Sequence, residues 1–265
     1  MQVKKYSTVK EVQDDILILL KEFDRICKKN NIKYTLDGGT LLGAFRHDGF
    51  IPWDDDADVA ILRKEYKKFV KCAKRDLDKN IFVFEEMGNP KTYSYTFAKL
   101  KLKNTYFCEP GGENVKENHG LWLDIFPIDN SLGKSYIIQS KIAWFLHDVR
   151  WKKNGRIFTA KKHNKLTTLL AKLLPYWLIT FIINFTIRFY NIFPTKNVCK
   201  LSHYGKNKEP HSRKFYTELT THKFCDTKLS VMKNAEEWLN LRYNGNWRKL
   251  PPKSQQKPGH SLKIS

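Results

Sequence analysis

The 265-residue chain has no Cys-x-x-Cys pair and no cluster of cysteine with histidine, which excludes a structural zinc site of the usual spacing. Its five cysteines, Cys27, Cys72, Cys108, Cys199 and Cys225, are odd in number and widely separated; this fits reduced thiols in a cytoplasmic protein. The opening MQVKKYSTVKEVQDD lacks the apolar core of a secretory signal. No repeat and no low-complexity tract is present. Acid is scarce: 48 Lys plus Arg stand against 27 Asp plus Glu, a formal charge of +21. That imbalance suits an anionic partner (nucleic acid, anionic membrane or phosphorylated substrate) and by itself selects none of them. Hydrophobic residues make up 41% and aromatics 14% of the chain, enough for a substantial core, so disorder is excluded.

Against this scarcity, IPWDDDADVAIL places Asp54, Asp55, Asp56 and Asp58 within five positions, directly before an apolar run. Like charges so close are costly unless a cation lies between them or one is protonated. A solvated acidic loop is one reading, and a metal site at the start of a strand is the other.

The surrounding pattern predicts α+β elements in the first half. Thr8 to Glu11 is a capping box, and Val12, Ile16, Leu19, Leu20, Phe23 and Ile26 recur at helical spacing up to Asn30. Tyr34 to Leu36 reads as a short strand, Thr40 to Arg46 as a short helix, and Asp56 to Leu62 as a strand. Lys64 to Leu77 reads as an amphipathic helix. IFVFEEM, YSYTFAKLKL and LWLDIFPI read as strands, and EPGGENVKENHG reads as a loop. From Ser135 onward helices are expected: Ser135 to Lys153, an apolar pair around Pro175, and about Asn234 to Tyr243. The expected organisation is a catalytic core over residues 1–134 and a helical part over 135–265, packed as one unit.

In a strand, positions i and i+2 share a face, so Asp56 and Asp58 point together, with Asp54 nearby. Such a group suits Mg²⁺ or Mn²⁺, hard cations that take one or two carboxylates plus water and phosphate oxygens. Upstream, LDGGTLLGAF lets Gly38 and Gly39 bring the backbone close to a ligand, and Thr40 opens a helix whose amides favour a phosphate. Gly-Gly-Thr followed by Asp-x-Asp is the arrangement of the nucleotidyltransferase fold. Asp124, charged within the apolar GLWLDIFPID, is the candidate third carboxylate, either a base or a metal ligand, with pairing to a Lys or Arg as the alternative. Asp129 is second choice.

Leu166 to Phe193 is strongly apolar and aromatic, interrupted by Lys172, Pro175, Asn184 and Arg188. Its longest uncharged run, Leu173 to Ile187, is shorter than the roughly 20 residues of a membrane span. A buried helical hairpin is the first reading. Peripheral docking to an anionic membrane is the second, and a true span the third.

Together, LDGGTLLGAFRHDGFIPWDDDADV, GLWLDIFPID and the late YNGNWRKLPP resemble the LicD family, which is related to fukutin and the fukutin-related protein. The resemblance runs from the first helix to Pro251-Pro252 and is most like the bacterial phosphocholine transferases. One departure is Asn244, which separates Tyr243 from Gly245 where the family has Tyr-Gly. The resemblance implies a nucleotidyltransferase-like core. It also implies transfer of phosphocholine from CDP-choline to a sugar of a lipid-linked glycan, lipopolysaccharide or teichoic acid, at the inner face of the plasma membrane. Asp54, Asp56 and Asp58 are then the metal acids, and Asp124 matches the family's downstream acid, which orients or deprotonates the sugar hydroxyl or is a further metal ligand. Gly38, Gly39 and Thr40 hold phosphate, and Arg46, Lys99 and Lys101 add positive charge. A quaternary ammonium favours aromatic cages, for which Trp53, Trp122, Tyr93 and Tyr95 are candidates. The competing readings are transfer of another CDP-alcohol, a conventional nucleotidyltransferase, and a nucleic-acid binder. The acidic cluster argues against the last, and no specific nucleic acid is expected.

Overall fold

In the computed structural model, residues 3–87, 93, 95–109, 112, 115, 118–133, 135–155, 164–201 and 210–259 are described. The first helix, α1 (Val9–Lys29), starts as its capping box requires: Glu11 N–H donates to Thr8 Oγ1, and Glu11 Oε2 accepts from the Thr8 amide. Its apolar stripe, Val12, Ile16, Leu19, Leu20, Phe23 and Ile26, is buried along its whole length. That stripe packs on a sheet whose order is β2 (Thr35–Leu36), β3 (Asp58–Leu62), β7 (Trp122–Ser131), β5 (Ala98–Leu102) and β4 (Phe82–Glu85). The β3–β7 pair is parallel and the other pairs are antiparallel. The far end of β7 pairs with β8 (Asn197–Cys199), which pairs with β9 (His211–Ser212). A small parallel pair, β1 (Lys4–Lys5) with β6 (Thr105–Tyr106), ties down the N-terminal arm.

The α+β class is as expected, and several boundaries differ. The second helix, α2, runs Gly38–His47 and takes in both glycines. The strand at the acidic cluster begins at Asp58, so Asp54 to Ala57 form a loop leading into it. Gln13 Nε2 holds that loop, donating to the carbonyls of Ile51 and Asp54 at 2.9 Å each. Of YSYTFAKLKL, only Ala98–Leu102 is strand, and Ser94 lies outside the described residues. The loop EPGGENVKENHG lies partly outside them as well. The next helix, α3, occupies Arg63–Asp76, and α4 occupies Ser135–Lys153.

Beyond α4, the second half supplies more than helices. After α7 (Lys214–Thr217), β10 (Leu219–Phe224) and β11 (Thr227–Met232) form a hairpin against β2. Ser230 Oγ donates to the Tyr34 carbonyl at 2.6 Å, and the Ser230 amide donates to Tyr34 Oη. The last helix, α8 (Ala235–Arg242), buries Trp238 and Leu239 in the same hydrophobic cluster as α1.

The apolar pair around Pro175 departs from the buried hairpin expected for it. The helices α5 (Lys165–Leu173) and α6 (Tyr176–Arg188) are bent by 119° at Leu174-Pro175. They bury one face, Ala171, Ile179, Ile183 and Ile187, against Ala143, Leu146 and Val149 of α4. Trp177, Phe181, Phe185 and Phe189 point outward instead. No single helix among the described residues is long and apolar enough to cross a membrane.

Asp129 is engaged structurally. It is fully buried and receives both Arg63 Nε and Arg63 Nη2, at 2.7 and 2.6 Å, together with Asn191 Nδ2 at 2.6 Å. This fork joins α3, β7 and the 3-10 turn Phe189–Ile192 that follows α6. Asp129→Ala leaves the buried Arg63 without its counter-charge. Urea unfolding should show a loss of about 3–5 kcal/mol; a loss below about 1 kcal/mol, the range of exposed pairs, would show that the fork contributes little.

Candidate active site

Asp58 opens β3, and Asp124 stands beside it in register on β7, so both side chains leave the same face of the sheet. Backbone bonds fix this edge. The Asp124 amide donates to the Ala57 carbonyl and the Asp37 amide to the Asp58 carbonyl, each at 3.0 Å. The Asp58 amide donates to Thr40 Oγ1 at 2.8 Å, locking the start of β3 to the first turn of α2. Thr40 thus aligns helix and strand through its hydroxyl.

The two glycines have a steric reason. A β-carbon at Gly38 would stand 2.7 Å from Asp58 Oδ2, and one at Gly39 would stand 2.7 Å from Asp54 Oδ2. Gly38 also has φ +54, a conformation that side chains disfavour. The carboxylates of Asp54 and Asp58 therefore lie directly over the N-terminus of α2, where the helix dipole favours negative charge.

Asp37, Asp56 and Asp124 all act on Asp58. Burial raises the Asp58 pKa well above the ordinary carboxylate value; Asp56 adds to this, Lys200 opposes it, and Asp124 and Asp37 add further. Asp37 is buried, which alone would raise it, yet the ammonium of Lys200 brings it below the usual range. Tyr243 belongs to the same environment. Its hydroxyl is pushed up to about 12, first by burial and then, against Arg242, by Asp37, Asp54 and Asp58.

Lys99 faces Asp124 across β5–β7. Its Nζ lies 2.7 Å from Asp124 Oδ1 and 2.6 Å from Glu109 Oε1. Burial works against its charge, but Asp124 and Glu109 outweigh burial and its pKa is raised. The ammonium also sits over the rings of Trp122 (4.3 Å to the centroid) and Tyr95 (4.5 Å), with Phe97 at 5.5 Å. The expected roles change accordingly. Lys99 is committed to Asp124 and Glu109, and Trp122 and Tyr95 already enclose a cation, the chain's own. Tyr93 is buried and donates to the Phe97 carbonyl at 2.7 Å. Lys101 is buried beside Glu85 and donates to the Asn118 carbonyl. Trp53, next to Asp54, keeps partial exposure and meets His47 edge-on.

The late motif closes over the acidic loop. Arg46 Nη1 donates to the carbonyls of Trp247 and Lys249 at 3.1 and 3.3 Å, so it anchors this segment. Asp55, fully buried, accepts from the Gly259 amide at 3.0 Å. Lys200, His211 and Arg242 gather with Asp37 and Gly38 around a small cavity beside the helix N-terminus. Sequence reasoning missed Asp37, Glu109, Lys200 and Arg242. Asp37 had a signal in its place immediately before Gly38-Gly39; the other three had none.

Among the described residues, no three Asp, Glu, His or Cys side chains converge closely enough to hold a metal ion alone. The trio Asp54, Asp56 and Asp58 is therefore not a preformed cage. Two carboxylates over a glycine pair, one of them with a strongly raised pKa, still suit a hard cation that completes its shell with water and substrate phosphates.

The site thus consists of two carboxylates in register on neighbouring strands, set against a glycine-opened helix and a pocket lined by Lys200, His211 and Arg242. Residues 31–154 match the family described as LicD/FKTN/FKRP, nucleotidyltransferase domain. The chain is 29% identical over 259 residues, 96% of each chain, to the lipopolysaccharide cholinephosphotransferase LicD of Haemophilus influenzae. It is also 36% identical over 105 residues, 32% of this chain and 33% of the relative, to an uncharacterized protein of Rickettsia typhi. Residues 31–154 thus carry a domain of the LicD family, and the similarity to LicD extends along 96% of the chain.

The raised Asp58 pKa carries a stability consequence. Between the unfolded value near 3.8 and the higher folded value, the native state binds more protons, so stability falls as pH rises through this window. Asp58→Asn should therefore be more stable than wild type at pH 7 without divalent metal, by about 2–4 °C in Tm per kcal/mol gained. The advantage should vanish towards pH 4. Equal melting temperatures at pH 7 would refute the electrostatic strain.

Proposed function

We propose that the protein transfers phosphocholine from CDP-choline to a sugar hydroxyl of a lipid-linked cell-surface glycan of the lipopolysaccharide type, releasing CMP at the cytoplasmic face of the membrane. The observation that carries this reading is similarity over 96% of both chains to a lipopolysaccharide cholinephosphotransferase. The carboxylate edge supports it, being what phosphoryl transfer requires: positioning and charge neutralisation.

The chain's own residues then act as follows. Asp54 and Asp58, with Asp56 alongside, would hold a divalent cation such as Mg²⁺, which would supply positive charge to the diphosphate and to departing CMP. The α2 N-terminus and the pocket of Lys200 and Arg242 receive phosphate oxygens. Asp124 accepts the proton of the sugar hydroxyl as its oxygen bonds to the choline-bearing phosphorus and the bridging P–O bond to CMP breaks. Lys99 contacts one Asp124 oxygen and fixes its side chain. Trp53 is a partly exposed aromatic beside the acids, available to a quaternary ammonium.

A donor screen tests the reading. The protein, Mg²⁺ and a lipopolysaccharide acceptor are incubated with CDP-choline, CDP-ethanolamine, CDP-glycerol or CDP-ribitol, and CMP and pyrophosphate are measured. CMP release with labelled choline on the glycan supports the proposal. Preference for another CDP-alcohol would replace the cargo, and pyrophosphate release would replace the reaction with nucleotidyl transfer.

Asp124→Asn separates base from ligand. Donor affinity should stay close to wild type while transfer falls about 10²-fold or more, the usual contribution of a general base. Loss of divalent-metal binding by calorimetry in this variant would make Asp124 a ligand.

A further inference from the structure

A surface helix normally carries polar side chains opposite its buried stripe; α6 does not. Ile179, Ile183 and Ile187 face inward, while Trp177, Phe181 and Phe185 are 69%, 62% and 59% exposed. The row continues at four-residue spacing through Phe189 and Phe193, with ring centroids 6.5 Å apart for Phe181–Phe185, 5.5 Å for Phe185–Phe189 and 6.5 Å for Phe189–Phe193. Leu166, Leu169 and Leu173 of α5 and Ile138 and Ile142 of α4 widen this surface.

Charge indicates what covers it. Residues 149–208 contain no Asp or Glu, while Lys165, Lys172, Arg188 and Lys196 accompany the ridge. The ridge runs past Asn191, which lines a cleft of about 670 Å³ together with Lys64, Lys67, Lys68, Lys71, Arg213 and a single acid, Glu65. An aromatic ridge bordered by cations and free of acid along its own segment matches the boundary of an anionic bilayer, with rings at the level of the acyl chains and lysines at the head groups.

We propose that the outer face of α5 and α6, with the adjoining lysine cleft, docks the protein peripherally on an anionic membrane. Geometry connects the docking face to the site, since β3 carries Asp58 at one end and borders the lysine cleft with Leu62 at the other. Five strand residues separate them by roughly 13 Å. The inference stands apart from the choice of donor and acceptor, because membrane binding is read without turnover.

Flotation with vesicles tests it. Wild-type protein should rise with phosphatidylglycerol-containing vesicles at low salt, stay behind with pure phosphatidylcholine, and release from the anionic vesicles in salt. Trp177→Ser/Phe181→Ser/Phe185→Ser should float about tenfold less. So should Lys67→Gln/Lys71→Gln, whose exposed side chains leave the apolar ridge intact and whose fold is checked by melting. Wild-type protein remaining at the bottom at low salt, or ridge variants floating like wild type, would overturn the proposal. So would a concentration-dependent dimer that the ridge variant abolishes, which would make the face a contact between copies.

Discussion

The structure depends on the register that sets Asp58 beside Asp124. Two carboxylates on neighbouring parallel strands, with Asp37 and Asp56 close by, form a concentration of negative charge that a folded chain must neutralise. The fold brings cations to it from distant parts of the sequence. Lys99 reaches Asp124 from β5, and Lys200 reaches Asp37 from the segment after β8. Asp58 stands beside Asp124 with its pKa raised, so its carboxyl holds a proton more readily than an ordinary carboxylate does. The glycine pair belongs to the same arrangement, because its missing β-carbons are what allow the carboxylates to rest on the helix terminus.

A second group of contacts holds this edge from behind. Gln13 on α1 supports the acidic loop, Arg46 on α2 holds the Trp247 and Lys249 carbonyls, and Asp55 accepts from Gly259. Three motifs that are far apart in the chain thus form one surface. Asp54, Asp55, Asp56 and Asp58 divide their work accordingly. Asp55 turns inward and accepts from the Gly259 amide, Asp54 and Asp58 sit over the glycines, and the charge of Asp56 acts on Asp58.

Local features of the sequence were read well where local physics decides them. The capping box at Thr8, the limits of Ser135–Lys153, and the pairing of Gly38-Gly39 with a downstream aspartate strand all follow from short-range pattern. Long-range partners were not legible. With 48 basic residues, nothing singles out Lys200 or Arg242. The aromatics near Lys99 resembled a vacant cage because sequence does not show that the occupant is a lysine on the neighbouring strand. The hairpin β10–β11 escaped because its turn carries Cys225 at φ +54 in place of the glycine or asparagine that marks such turns. The apolar stretch around Pro175 reads as core, since composition alone cannot tell a helix buried on all sides from one left open on one face.

The contact between Asp55 and Gly259 also has a temporal meaning. During synthesis the acidic loop leaves the ribosome with the first sixty residues or so, before Lys200, the acceptors of Arg46 and the amide of Gly259 exist. Bonds that span 163, 201 and 204 positions form only after most of the chain is out, and such non-local closures are the slow steps of folding. Until then Asp37 and Asp55 lack these partners and remain hydrated. The carboxylate site is therefore completed last, by the arrival of the segment that reaches Gly259, and a nascent chain has no finished site before its fold is closed.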